Sequence, residues 1–113
     1  MDLALSIDIG GSKIAVGLVT RNGELIDRTQ FIVNAQDSSE ELFDDLSRAV
    51  DAQLLRAVDH HGVRPSVVGV GSAGPITTNV ETISPLNIPQ WRGFELRQRL
   101  ETLTGLPVFG DGD

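Results

Sequence analysis

Asp8-Ile9-Gly10-Gly11-Ser12-Lys13 sets a glycine pair directly after an apolar run. Glycines at 10 and 11 remove side chains that would block an anion, and they permit backbone angles that turn several N–H groups toward a phosphate. Ser12 adds a hydroxyl and Lys13 a positive charge. Asp8, leaving an apolar strand, is suited to hold Mg2+ through water, because Mg2+ keeps several waters and takes one or two carboxylates. The spacing matches neither the Walker A pattern nor the dinucleotide fingerprint GxGxxG. A glycine pair between two strands is also the mark of a plain hairpin turn.

Two further segments carry chemistry-bearing residues. Gly71-Ser72-Ala73-Gly74-Pro75 reads either as the end of a strand or as a loop facing a substrate. Asp111, between Gly110 and Gly112, is a carboxylate at the end of a short strand. Phosphoryl transfer needs a metal, positioning, and a carboxylate that accepts the acceptor hydroxyl proton. Asp111 suits that role, and an aspartate in a turn equally suits bonding to its own backbone. His60 and His61 read as the cationic end of a helix, Trp91 as a packing anchor or a wall of a sugar site. No Ser-His-Asp triad and no metal-ligand spacing can be assembled.

The elements that must position these residues follow from periodicity. Leu3 to Ile9 is a short apolar run, consistent with a buried strand. Ile14, Val16 and Leu18 alternate with smaller residues, and Asn22-Gly23 then signals a two-residue hairpin whose second arm runs from Leu25 to Val33. From Ser38 the period changes: Leu42, Phe43, Leu46, Ala49, Val50, Leu54, Leu55 and Val58 follow helical spacing. Ser38 with Glu41 predicts a capping box, and Gly62 the stop. Val67 to Gly71 predicts a buried strand, Phe94 to Leu103 a second helix stopped by Gly105, and Pro107-Val108-Phe109 a last short strand. The order β-β-β-α-β-α-β predicts an α/β fold in one domain. Its first, fourth and last strands lie together in a mixed sheet, since connections through helices demand parallel strands. Ligands of such sheets collect beyond the carboxyl ends of the parallel strands, where the three glycine-rich segments converge.

Composition narrows the partners. With 40% hydrophobic and 22% charged residues, 113 residues can bury a core of their own. A net charge of -7 repels phosphate backbones and anionic lipid, which argues against nucleic-acid and membrane partners. The start lacks a basic leader and no run approaches a membrane span, so a cytoplasmic location is expected. The absence of cysteine leaves no thiolate metal site in this segment.

The ordered blocks Asp8 to Ile14, Gly69 to Pro75, Pro85 to Trp91 and Leu106 to Asp113 resemble the ROK family of bacterial sugar kinases and sugar-responsive repressors. The resemblance covers nearly the whole chain. It implies an actin-like, ribonuclease-H-like ATPase fold, with residues 1–113 as the N-terminal small domain of a two-domain, glucokinase-like enzyme. It implies that Asp8, Gly10, Gly11, Ser12 and Lys13 form the first phosphate-binding turn for ATP with Mg2+. Gly74, Pro75 and Asn87 would then lie near the sugar, and Asp111 would be the base that deprotonates its hydroxyl. The adenosine-binding domain and a cysteine-rich block for structural zinc would follow Asp113, so the isolated chain is expected to be inactive. The resemblance also allows a homodimer of the full-length protein. Only seven residues precede Asp8, which disfavours the repressor branch. Gly110 and Asp113 depart from the family's Asn-Asp-Ala-Asn or Asn-Asp-Gly-Asn block, which motivates the alternative of a non-catalytic, sugar-sensing protein.

Overall fold

The computed structural model describes residues 2–10, 12–34, 36–72 and 95–112. Five strands and two helices follow in the expected order: β1 (Leu3–Ile9), β2 (Lys13–Thr20), β3 (Leu25–Ile32), α1 (Ser39–His61), β4 (Val67–Ser72), α2 (Leu96–Thr104) and β5 (Val108–Gly112). They build one mixed sheet of order β3-β2-β1-β4-β5. β1 pairs antiparallel with β2 and parallel with β4, and β4 pairs parallel with β5.

Strand alternation divides this sheet into two unlike faces. Leu3, Leu5, Ile7 and Ile9 of β1 join Ile14, Val16 and Leu18 of β2 on the buried face, with Val68, Val70 and Val108 from the parallel strands. Leu42, Leu46 and Val50 of α1 and Leu96 and Leu100 of α2 complete the same apolar cluster, so both helices cover this face. Burying each such side chain contributes about 1.5–3 kcal/mol, which makes this layer the main source of stability.

Local chemistry explains the helix ends. Ser38 caps α1: its hydroxyl accepts from the Glu41 N–H at 3.1 Å, and the Glu41 carboxylate accepts from the Ser38 N–H at 3.0 Å. Gly62 stops the helix with φ 68°, a left-handed conformation that glycine adopts without strain. The two helices are tied at one corner. Arg99 of α2 donates twice to the Glu40 carboxylate, at 2.9 and 2.6 Å, and its guanidinium lies 4.5 Å over the Phe43 ring.

Four details depart from the periodicity. In α1 the inward row is Leu46, Val50, Gln53 and Ala57, whereas Leu55 and Val58 are 65% and 51% exposed. Leu55 follows Leu46 by about two and a half helical turns, which puts it on the opposite side. The β2–β3 hairpin is longer than two residues. Thr20 and Glu24 close it, Gly23 donates to the Thr20 carbonyl at 2.9 Å, and Gly23 takes φ 85°, the arrangement of a turn followed by a left-handed glycine. α2 begins at Leu96 rather than Phe94, which lies outside the described residues, and its preceding Glu95 makes no side-chain cap. β5 runs on to Gly112, so Asp111 sits within a strand rather than in a turn after it.

Gln53 is fully buried and neither of its amide atoms has a hydrogen-bond partner among the described residues. An unsatisfied buried polar group destabilises by about 1–3 kcal/mol. Gln53→Met, of similar shape, is therefore expected to raise the urea midpoint by the equivalent of at least about 1 kcal/mol. A lowered midpoint would reveal a bonding partner for the amide.

Asp27 of β3 accepts from Arg56 of α1 at 2.7 Å and is 11% exposed. The hydrogen bond from Arg56 holds the Asp27 carboxyl below its ordinary value of 3.8, with the Arg28 N–H acting in the same direction against partial desolvation. A depressed carboxyl contributes stability that is complete above its unfolded value and disappears as pH falls through its folded value. Between neutral pH and a pH below 3.8, the wild-type chain should lose more stability than Asp27→Asn, measured by denaturation at each pH. Equal losses would show that the pair contributes nothing to acid sensitivity.

Candidate functional site

The candidate site forms where the parallel strands end. The register aligns Asp8 of β1 with Gly71 of β4, and Gly71 with Asp111 of β5. Asp8 and Asp111 thus occupy equivalent positions on the strands either side of a glycine, their backbones two strand spacings or roughly 9–10 Å apart. Asp8 is exposed. Its carboxylate leans toward β4, with Oδ1 at 4.0 Å from where a Gly71 Cβ would stand. Since glycine carries no side chain there, the space in front of the Asp8 carboxylate stays open over the middle of the row.

The turn after β1 adds the backbone part of the site. The Gly10 N–H donates to the Lys13 carbonyl at 2.9 Å, and the Ser12 carbonyl accepts from the Val33 N–H at 2.8 Å. A Cβ on Gly10 would stand 3.2 Å from the Lys13 carbonyl oxygen, so the tight approach of the turn favours glycine. Ser12 and Lys13 are both exposed. Lys13 opens β2 two residues before Ala15, the residue paired with Asp8, and so shares the face that carries Asp8.

The described residues therefore bring together Asp8, Gly10, Ser12 and Lys13 with the backbone of Asp111 at one edge of the sheet. Gly11, Gly74, Pro75 and Asn87 lie outside the described residues. Gly71 opens the expected Gly71 to Pro75 segment, but the sequence assigned it no role of its own between the two aspartates. The signal that could have found it is its place one β-strand repeat after Gly69, on the strand that must lie beside β1.

The donor chemistry fits a hydrated divalent cation. A single exposed carboxylate with open space before it is what Mg2+ uses when it keeps most of its water shell. Among the described residues no cluster of three or more metal-ligating side chains forms, so a fully protein-ligated site is not built from them. No helix among them is long and apolar enough to cross a membrane.

The model of the ROK family matches residues 4–113. The chain belongs to the ROK family. Among its ROK relatives, a glucokinase from Halalkalibacterium halodurans is 30% identical over 112 residues, covering 96% of this chain and 33% of that protein. An N-acetylmannosamine kinase from Escherichia coli is 33% identical over 110 residues, covering 96% of this chain and 35% of its own length. A solved ROK glucokinase from Streptomyces griseus, in complex with glucose and AMPPNP, superposes with a TM-score of 0.74 at 28% identity, covering 97% of this chain and 33% of that one. The ROK chain described here thus spans about a third of the length of the curated relatives it matches. Its five-stranded mixed sheet is that of the actin-like ATPase fold shared by ROK sugar kinases.

Because Asp8 is exposed, Asp8→Asn should shift folding stability by no more than about 0.5 kcal/mol in thermal or chemical denaturation. A larger loss would mean that the carboxylate is a structural group and not one held available for a ligand.

Proposed function

We propose that this chain is the N-terminal small domain of an ATP-dependent sugar kinase that phosphorylates a hydroxyl of glucose or a related hexose. The single observation that carries this reading is the row Asp8–Gly71–Asp111, two acidic residues level with each other across an open glycine at the carboxyl ends of parallel strands. The kinase names of its relatives, and the glucose and AMPPNP bound to one of them, support the substrate class.

In this reading Asp8 would hold Mg2+ through water, and the ion would supply positive charge to offset that of the phosphates. Ser12 and Lys13 receive the phosphate oxygens by hydroxyl and ammonium donors, and Gly10 and Gly11 keep the phosphate-binding turn free of side chains. Gly74, Pro75 and Asn87 border the sugar. Asp111 accepts the proton of the sugar hydroxyl as that oxygen bonds to the γ-phosphorus and the bond from phosphorus to the bridging oxygen of ADP breaks. A carboxylate is the type of group that phosphoryl transfer uses to accept the proton of the acceptor hydroxyl. The remainder of the cleft comes from the part of the protein that the relatives carry beyond this third, so residues 1–113 alone turn over no ATP.

The test is sugar-dependent ADP release by the full-length protein. Asp111→Asn is expected to lower kcat by about 10²–10⁴-fold with the fold intact by circular dichroism. Retained turnover would remove Asp111 from the base role. Sugar binding without turnover in the wild-type protein would instead make it a sensor.

A further inference from the structure

β3 is an edge of the sheet. Among the described residues only β2 pairs with it, so one of its two rows of backbone groups has no ladder. One bond shows which row this is: the Val33 N–H donates to the Ser12 carbonyl at 2.8 Å. In an antiparallel ladder such positions recur at every second residue, so Phe31 and Thr29 turn their groups to β2. Arg28, Gln30 and Ile32 therefore present N–H and C=O at the free edge. Edges are usually blunted by lysine, proline or a bulge. The bulge of β3 lies at its other end, opposite Leu18 and Val19, and Thr29-Gln30-Phe31-Ile32 contains neither charge nor proline.

A groove of 300 Å³ runs beside this stretch, with Thr29 and Phe31 on one side and Asp45, Arg48 and Ala49 of α1 on the other. It shares Asp45 and Arg48 with an adjoining hollow bordered by Asp37, Glu41 and Asp44. Among the described residues, these four carboxylates face the single guanidinium of Arg48, which pairs with Asp45. Desolvation, together with the carboxylates of Asp45 and Glu41, holds the Asp37 carboxyl above its ordinary 3.8. The groove thus ends in an excess of negative charge.

We propose that β3 and α1 form a docking groove for an extended basic peptide of another protein, which adds to the sheet as a further strand. Main-chain bonds to Arg28, Gln30 and Ile32 hold it, and an apolar side chain lies against Phe31 and Ala49. A lysine or arginine two residues along, on the same face, reaches the carboxylates of Asp45 and Asp37. A second copy of the chain fits poorly there, since it brings the same acidic rim and a net charge of -7. The groove uses none of the residues assigned to the kinase reading and stands apart from it.

The experiment titrates the full-length protein with a fluorescent peptide, Thr-Lys-Thr-Val-Thr-Lys-Thr, whose pattern is the same in either strand direction, and follows its anisotropy. Saturable binding is expected, weakened at least about 10-fold when both lysines are replaced by glutamate. N-methylation of one alternate set of peptide amides should weaken binding at least about 10-fold, and methylation of the other set should leave it unchanged, as strand addition requires. Asp45→Lys in the protein should weaken it by about as much, with the melting temperature within about 2 °C of the wild type. No saturable binding, whether because a second copy or the protein's own chain covers the edge, overturns the proposal. So do equal affinity for the glutamate peptide, equal effects of the two methylated sets, or unchanged binding by Asp45→Lys.

Discussion

Parallel pairing of β1 with β4 is the constraint on which the rest of the geometry depends. It can form only after the chain has passed through two strands and α1, so the crossover must fold back over one face of the sheet. The apolar residues of β1 at alternate positions give that face something to bind. Once Leu5 stands opposite Val68 and Ile7 opposite Val70, the register is set by burial, because a slip of one residue would turn every core side chain outward. The same register puts Asp8 level with Gly71. A demand of the core therefore aligns the residues at the edge.

The second crossover repeats the operation on the far side of β4. α2 packs Leu96 and Leu100 into the existing cluster, and the Arg99 pair with Glu40, stacked on Phe43, fixes its orientation against the start of α1. Salt screens an exposed pair of this kind, but the two parallel hydrogen bonds and the aromatic face constrain its direction as well as its distance. β5 then has one place to go, beside β4, which brings Asp111 into the row. Position at the candidate site is thus inherited from packing that lies on the other face of the sheet.

Much of this was legible before any coordinates. Ser38, Glu41 and Gly62 announce both ends of α1 because capping is local chemistry within a few residues. The mixed sheet follows from element order alone. What was not legible depends on distant partners. Leu55 and Val58 look like core residues by type, yet the straight helix carries Gln53 and Ala57 inward in their place. The hairpin length turned on a Thr20–Glu24 closure that a dipeptide signal cannot specify. The last strand reads as Pro107 to Phe109, with Asp111 at its end, while pairing with β4 extends the strand through Asp111. At the candidate site, Asp8, Gly10, Ser12 and Lys13 stand out in the sequence by their types, whereas the alignment of Gly71 between Asp8 and Asp111 emerges only from the strand register.

The length of α1 has a mechanical consequence. Its 23 residues rise about 35 Å, while the longest strands beneath it, of eight residues, extend about 27 Å. The molecule's longest dimension of 37 Å is accordingly close to the length of this one helix. Its final turn, where Val58, Asp59 and His60 are all exposed, is anchored by buried Ala57 and by the Gly62 bonds back to Val58 and Ala57. Because β4 starts at Val67, soon after α1 ends, this turn stands at the opposite end of the parallel strands from Asp8 and Gly71, and local opening there would leave the candidate edge in place.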